Sequence, residues 1–269
     1  MTLDNGQIIV LKDKKWIKRQ KIAGDVIKNI HHEFFKMIKG MSKNLTLSSL
    51  EKVANNIIDN SGCTPTFLHY RGFPTSVCAS LNKELVHGFA NRDIILQSGD
   101  VLTLDVGVTF QSAIADCAVT YIYGKPKDDK IMKLLFSCQN ALYDAIEVFK
   151  PGNKIGEIGN VIHKKSKDDG FGVITMYGGH GIDSDMLHAS PFIANKSKSS
   201  DGVIIRPGMS IAIEPMFVFG KNTNTKILND KWTVITKEIG VHFEHSVTID
   251  EDGNKHIITD HKIFVKDFI

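Results

Sequence analysis

Cysteine is scarce: the chain has four, Cys63, Cys78, Cys117 and Cys138, and none forms a CxxC pair. That excludes a disulfide-framed scaffold and reads as reduced thiols in a cytoplasmic protein. Long apolar runs are missing too. Stretches such as Ile8 to Leu11 fall far short of the roughly 20 residues that cross a bilayer, so no membrane partner is expected. The first twenty residues hold no apolar signal-peptide region. Neither sign of charge is in excess, since 33 Lys+Arg against 30 Asp+Glu leave +3. This is too little for a dedicated nucleic-acid binder, and no specific DNA partner is expected. No low-complexity linker divides the chain.

What is present is ordinary for a globular protein: 269 residues, 42% of them hydrophobic and 23% charged. A chain of this length buries about 75% of its unfolded surface and needs no disulfide staples. Trp16, Gln20, Ala23, Ile27, Ile30, Phe34 and Ile38 fall at three- and four-residue spacing and predict a helix that stops near Gly40. Ser48 with Glu51 reads as a capping box for a second helix through Leu50, Val53, Ala54 and Ile57. From Thr75 to Tyr123, short apolar runs broken by Gly, Asn and Asp predict strands and hairpins. The order then recurs. Ile131, Leu134, Leu135, Cys138, Leu142, Ile146 and Phe149 predict a helix ended by Pro151-Gly152, and Asn153 reads as the cap of the next. Strands dominate from Val173 to Val265. The expected fold class is α+β, in a single domain over residues 1–269. An arm over 1–12 precedes two similar halves, about 13–124 and 125–269.

Acidic residues stand where strands disfavour them. Asp105 lies in the run Val101 to Val108, and Asp116 in the run Ala113 to Tyr123. A hairpin turning at Phe110-Gln111 would set the two aspartates directly opposite, about 5 Å apart at Cβ. Two carboxylates that close repel unless a proton or cation lies between them. Glu214, in Met209 to Pro215, and Glu244, in Val241 to Ile249, repeat the anomaly. His180 follows the run Val173 to Tyr177 among Gly178, Gly179 and Gly181. Each of these alone reads as an edge residue or half of an ion pair. Together, four carboxylates and one imidazole in apolar runs carry about −4, which calls for about two divalent cations. An oxygen-rich set with one nitrogen suits Mn²⁺, Fe²⁺ or Co²⁺, with Zn²⁺ also compatible. Such paired ions are a hydrolytic arrangement.

These residues and their order resemble the bacterial type I methionine aminopeptidases. The resemblance runs from Lys15 to about Ile258. It rests on Tyr70-Arg-Gly-Phe-Pro74, Ser76-Val-Cys78, Ser80-Leu-Asn82 and His87-Gly88, and on the two aspartates. It continues through Gly179-His-Gly-Ile182, His188-Ala-Ser-Pro191, Ile213-Glu-Pro-Met216 and Glu244-His245. It implies the "pita-bread" fold, two pseudo-symmetric αβ halves with a curved antiparallel sheet backed by helices. It also implies an exopeptidase that removes the initiator methionine from peptides and nascent chains, preferring a small second residue. The implied metal ligands are Asp105, Asp116, His180, Glu214 and Glu244, and the implied catalytic residues are His87, His188 and Glu214. Glu214 would move a proton, His87 would bond near the scissile amide and His188 near its carbonyl oxygen. Tyr70, Phe73, Cys78, Leu187, Met216 and Trp232 would wall the methionine pocket, with Phe67 at its rim. His245 reads as a packing residue or a support to its neighbour Glu244, and His242 as a support to the ligands or an exposed residue. Only 26 residues separate His188 from Glu214, which leaves no room for the helical insert of the type II class. The alternatives are an Xaa-Pro aminopeptidase or prolidase-like peptidase, and a catalytically silent pita-bread protein that binds peptides.

The chain departs from the family's pattern in places. His180 to His188 is eight residues where the family usually has seven, and Asp183 replaces a glycine. The added residue is expected to displace His188 or reshape the pocket near Leu187. Arg71 and Lys83 are expected at the substrate mouth. The basic stretch Lys12, Lys14, Lys15, Lys18, Arg19 and Lys21 reads first as a solvated helix face. Its functional alternative is docking to ribosomal RNA, since family members act on nascent chains. The expected state is a monomer.

Overall fold

Helix α1 (Lys14–Lys39) buries Trp16, Ala23, Ile27, Ile30, Phe34 and Ile38 on one face. Its first turn is closed by Asp13, whose carboxylate accepts from Trp16 N at 2.7 Å. Gly40 ends it, as the spacing predicts, and the left-handed residue that turns the chain is Met41, at φ 47°. This computed structural model describes residues 2–4 and 7–268. Thr2–Asp4 and Gln7–Ile9 pair as a short antiparallel ladder ahead of the helix.

Two expected caps are displaced. Helix α2 (Leu47–Asp59) is capped by Thr46, whose hydroxyl accepts from Ser49 N while Ser49 Oγ accepts from Thr46 N. Thr46 is extended and bridges Ile95, so helical geometry begins one residue later and Ser48 already lies in the first turn. Glu51 instead accepts from Ser76 N at 2.9 Å, tying α2 to the loop before a strand. Helix α3 (Asp129–Val148) is capped by Asp128, whose carboxylate accepts from Lys130 N. Asn153 does not cap helix α4 (Gly156–Asp168); its amide donates to Val148 O and closes α3. The N–H groups of Ile155 and Gly156 bond Val203 O and Asp201 O, so no side-chain cap is needed there.

Strand Asp100–Phe110 pairs on one side with Val77–Leu81 and Thr64–Pro65, and on the other with Ala113–Tyr123. In the second half the order is Met186–Ala194, Gly178–Asp183, Ser210–Ile213, His245–Ile249, Lys255–Ile257, all antiparallel. The halves join where strand Ala113–Tyr123 meets the segment around Glu244. Asp116 N donates to Ser246 Oγ at 2.8 Å, Ser246 Oγ donates to Asp116 O at 2.9 Å, and Glu244 N donates to Ala118 O at 2.9 Å. The helices cover the other side of the sheets. Phe34, Leu50, Tyr121, Leu142, Phe149, Phe217 and Phe243 share one continuous core with the strands. Mixed helices and antiparallel sheets in this arrangement are the α+β class that the sequence predicts.

The hairpin register corrects the expected one. The turn is Gln111-Ser112, both left-handed at φ 46° and 70°, one step beyond Phe110-Gln111. Two successive positive φ values make a primed turn, which matches strand twist although neither residue favours it. Asp105 therefore faces Ala118 and Asp116 faces Gly107. The aspartates are diagonal neighbours instead of direct partners, and they remain on one face because the offset is an even number of residues.

Candidate metal centre

The second half repeats that diagonal. His180 pairs with Ala212 on the neighbouring strand, which sets it two residues from facing Glu214. Ile213 pairs with His245, so Glu214 and Glu244 meet just past the end of their ladder. Glycine permits the approach: a Cβ on Gly179 would lie 2.2 Å from Ala212 O, and one on Gly181 would lie 2.0 Å from Ser190 O. Asp105, Asp116 and His180 on three strands, and Glu214 and Glu244 just past strand ends, thus converge on one point between the halves. His180 Nε2 lies 3.6 Å from Glu214 Oε1 and 3.9 Å from Asp116 Oδ2.

Among the described residues, the buried atoms Asp105 Oδ1, Asp116 Oδ1 and Glu244 Oε1 have no hydrogen-bond partner. An orphaned buried carboxylate oxygen costs free energy unless something occupies its lone pairs. Burial pushes Asp116 up to about 7, and burial with the neighbouring carboxylates pushes Asp105, Glu214 and Glu244 well above the usual range. Burial holds His180 down to about 3, and nearby His188 adds to this. A neutral imidazole among crowded carboxylates is the donor set a divalent cation takes. The residues fit such ions: Asp116, His180 and Glu244 present donor atoms within 4.8 Å of one another, as do Glu214, His242 and Glu244.

The cluster forms the floor of a cavity of about 530 Å³. Phe67, Tyr70, Phe73, Cys78, Leu187, Met216, Trp232, His87 and His188, all expected there, line it. Burial pushes the Cys78 thiol well up, so it is an apolar wall and not a nucleophile. His188 lines the cavity beside His180. Its Nδ1 is 3.0 Å from Tyr70 Oη, and its ring centroid is 4.5 Å from that of His180. Strand Met186–Ala194, which carries His188, shifts register on either side of Ala189. Asp183 is fixed by Lys12 Nζ at 2.7 Å, and Ser184 Oγ accepts from Trp16 Nε1 at 2.9 Å. Lys12 is accordingly buried and does not belong to a solvated basic face.

Arg71 lines the mouth, whereas Lys83 lies off the cavity, on the turn between strands, where its carbonyl accepts from Thr236 N. His69, Arg71 and His87 are all left-handed, at φ 66°, 49° and 60°, and such strain gathers at functional sites. His245 points away from the centre, bonding Thr259 Oγ1 and Tyr143 Oη. Val86, Tyr177 and Phe192 also line the cavity and carried no signal in the sequence beyond apolarity.

The model of metallopeptidase family M24 matches residues 18–251. The chain belongs to that family. Within M24 it is similar to the methionine aminopeptidase of Mycoplasma capricolum, at 36% identity over 91% of this chain and 96% of the relative. Methionine aminopeptidase 1 of Bacillus subtilis is 34% identical, over 91% and 97%. The crystal structure of the methionine aminopeptidase from Thermotoga maritima superposes with a TM-score of 0.88 at 32% identity, covering 94% of this chain and 99% of that one. Prolidase from Pyrococcus furiosus, at 20% identity and a TM-score of 0.71, shares the M24 fold. No described helix is long and apolar enough to cross a membrane.

Proposed function

We propose that this protein is a divalent-metal-dependent exopeptidase that removes the N-terminal methionine from peptides and nascent chains, preferring a small second residue. The observation that carries the reading is the group of orphaned buried carboxylates at the base of an apolar cavity. Asp105, Asp116, His180, Glu214 and Glu244 would hold two ions, of Co²⁺, Mn²⁺ or Fe²⁺, with Zn²⁺ also admitted by the donors. Bound cations would supply Lewis acidity toward the scissile carbonyl and toward water.

The chain's own groups do the rest. Phe67, Tyr70, Phe73, Cys78, Leu187, Met216 and Trp232 exclude water around an unbranched thioether side chain. With Tyr70 Oη, 3.0 Å from His188 Nδ1, acting as the donor, the imidazole proton would sit on Nε2. That N–H serves as donor to the carbonyl oxygen as charge develops on it. Burial and nearby His188 hold His87 down to about 4, so it stays neutral and can hydrogen-bond the scissile amide. Glu214 accepts a proton from water and passes it to the leaving amine.

We place the protein in the cytoplasm as a monomer working on chains leaving the ribosome. Exposed Lys15 and Lys18 on α1 are the cationic groups available for that contact. The substrate test uses metal-stripped protein reloaded with Mn²⁺ or Co²⁺, measuring free amino acid from Met-Ala-Ser and from Ala-Pro peptides. Methionine release that depends on metal supports the reading. Cleavage before proline moves the protein to the prolidase-like branch, and release from neither supports a silent peptide-binding protein.

A further inference from the structure

His242 has no part in the function proposed above. It ends the short strand Gly240–His242, opposite Met216, and is 2% exposed. Its backbone is fixed by Thr120, whose Oγ1 donates to His242 O at 2.7 Å and accepts from His242 N at 2.9 Å. Its ring is a different matter, because neither Nδ1 nor Nε2 has a hydrogen-bond partner. Nε2 lies 3.5 Å from Glu214 Oε2 and 3.7 Å from Glu244 Oε2.

Those separations are long for a hydrogen bond, which favours about 2.7–3.2 Å. They are close to the spacing of two donors on one cation. With each bond about 2.1 Å long, adjacent donors lie roughly 3.0–3.4 Å apart. His180 Nε2 stands in the same relation to the other oxygen of Glu214, at 3.6 Å. The Glu214 carboxylate therefore has an imidazole nitrogen beside each of its oxygens. Donor atoms of Glu214, His242 and Glu244 all lie within 4.8 Å of one another, and all three residues line the floor of the cavity.

We propose that His242 is a metal ligand: its Nε2 joins Glu214 and Glu244 on a divalent cation, giving the centre two imidazole donors. This rests on reading the carboxylate cluster as a metal centre. A second nitrogen makes the donor set softer and moves its preference from Mn²⁺ toward Co²⁺ and Zn²⁺.

The test counts histidines on the metal directly. In proton NMR of the Co²⁺-loaded protein, each coordinated imidazole gives one hyperfine-shifted ring N–H signal. Two such signals are expected, one lost in His242→Gln and the other in His180→Ala. By calorimetry, His242→Gln should weaken Co²⁺ binding by about 10–100-fold and Mn²⁺ binding less. A single signal in the unsubstituted protein overturns the proposal, even if neither variant folds. Two signals that both persist in a folded His242→Gln variant overturn it as well. Tight Co²⁺ binding with one signal removes His242 alone, whereas no Co²⁺ binding removes the metal centre together with it.

Discussion

Glu214 sits under opposed demands: it is buried just past a strand end, it faces other carboxylates, and it must stay ionised to take a proton. Burial and nearby Asp116 both push it up, and two neutral imidazoles flank its oxygens. Glu214→Gln keeps the shape and removes the base. It should lower kcat by about 10²–10⁴-fold with the melting temperature kept, measured as methionine release and by calorimetry. His188→Ala should cost about 10²–10³-fold in kcat with little change in KM, as loss of a donor to developing charge predicts. At this scale the sequence was informative wherever a residue broke a rule. Asp105, Asp116, Glu214 and Glu244 stand out because strands disfavour buried acids. His242 does not stand out, because in the sequence a histidine in an apolar run reads as an ordinary packing residue. Only its two unpartnered nitrogens separate it from a core residue.

Elements carry the ligands to each other through register, and register is where the sequence was least legible. The Asp100–Phe110 and Ala113–Tyr123 hairpin turns on Gln111-Ser112, a pair with no preference for positive φ, so the surrounding sheet imposes the turn. The error of one residue at the turn changes the aspartates from opposite to diagonal without moving either to the other face. The caps of α2 and α4 differ from the local sequence signal for a related reason. Backbone bridges to Ile95 and to Val203 decide where those helices begin. The loop between His180 and His188 depends on a contact from outside it, the Lys12–Asp183 pair at 2.7 Å. Lys12 lies 171 residues away from Asp183 in sequence, so no local pattern announces that pairing. Lys12→Ala leaves Asp183 without its cation and loosens the hairpin that presents His188. A misplacement of about 1 Å there costs up to about 10²-fold in rate. The variant should fold, bind metal with unchanged stoichiometry and release methionine at least about tenfold more slowly. An unaltered kcat would mean that the hairpin holds His188 by itself.

For the molecule as a whole, the two halves are joined across concentrated negative charge, and this links stability to cations. The folded-state values of Asp105, Asp116, Glu214 and Glu244 lie above the ordinary carboxylate range, with Asp116 at about 7. A carboxylate raised on folding binds more protons in the native state than in the unfolded one. These carboxylates withdraw stability as pH rises through their folded-state values, whereas buried histidines held neutral, such as His180 at about 3 and His87 at about 4, add stability as pH rises to about 6.5, so metal-free protein shows its net loss above about pH 7. Melting temperature followed from about pH 7 to about pH 9 in chelator should fall, and added Co²⁺ should remove most of the fall by keeping the carboxylates ionised and paired. A flat metal-free profile would mean that the cluster is not under charge strain. The doubled helix-helix-strand order was legible because apolar periodicity survives in both halves, although only their assembly explains why each half supplies its own diagonal pair of donors. The account's central claim is that this shared cluster, loaded with cations, cuts after an N-terminal methionine. Its most direct measurement is the initial rate of methionine release from Met-Ala-Ser as Co²⁺ is added stepwise to the metal-free protein. The account predicts no release without metal and a rate that rises and then levels at a small whole number of ions per chain. Release that is unchanged in chelator, or a protein that binds Co²⁺ tightly and releases nothing, would contradict it.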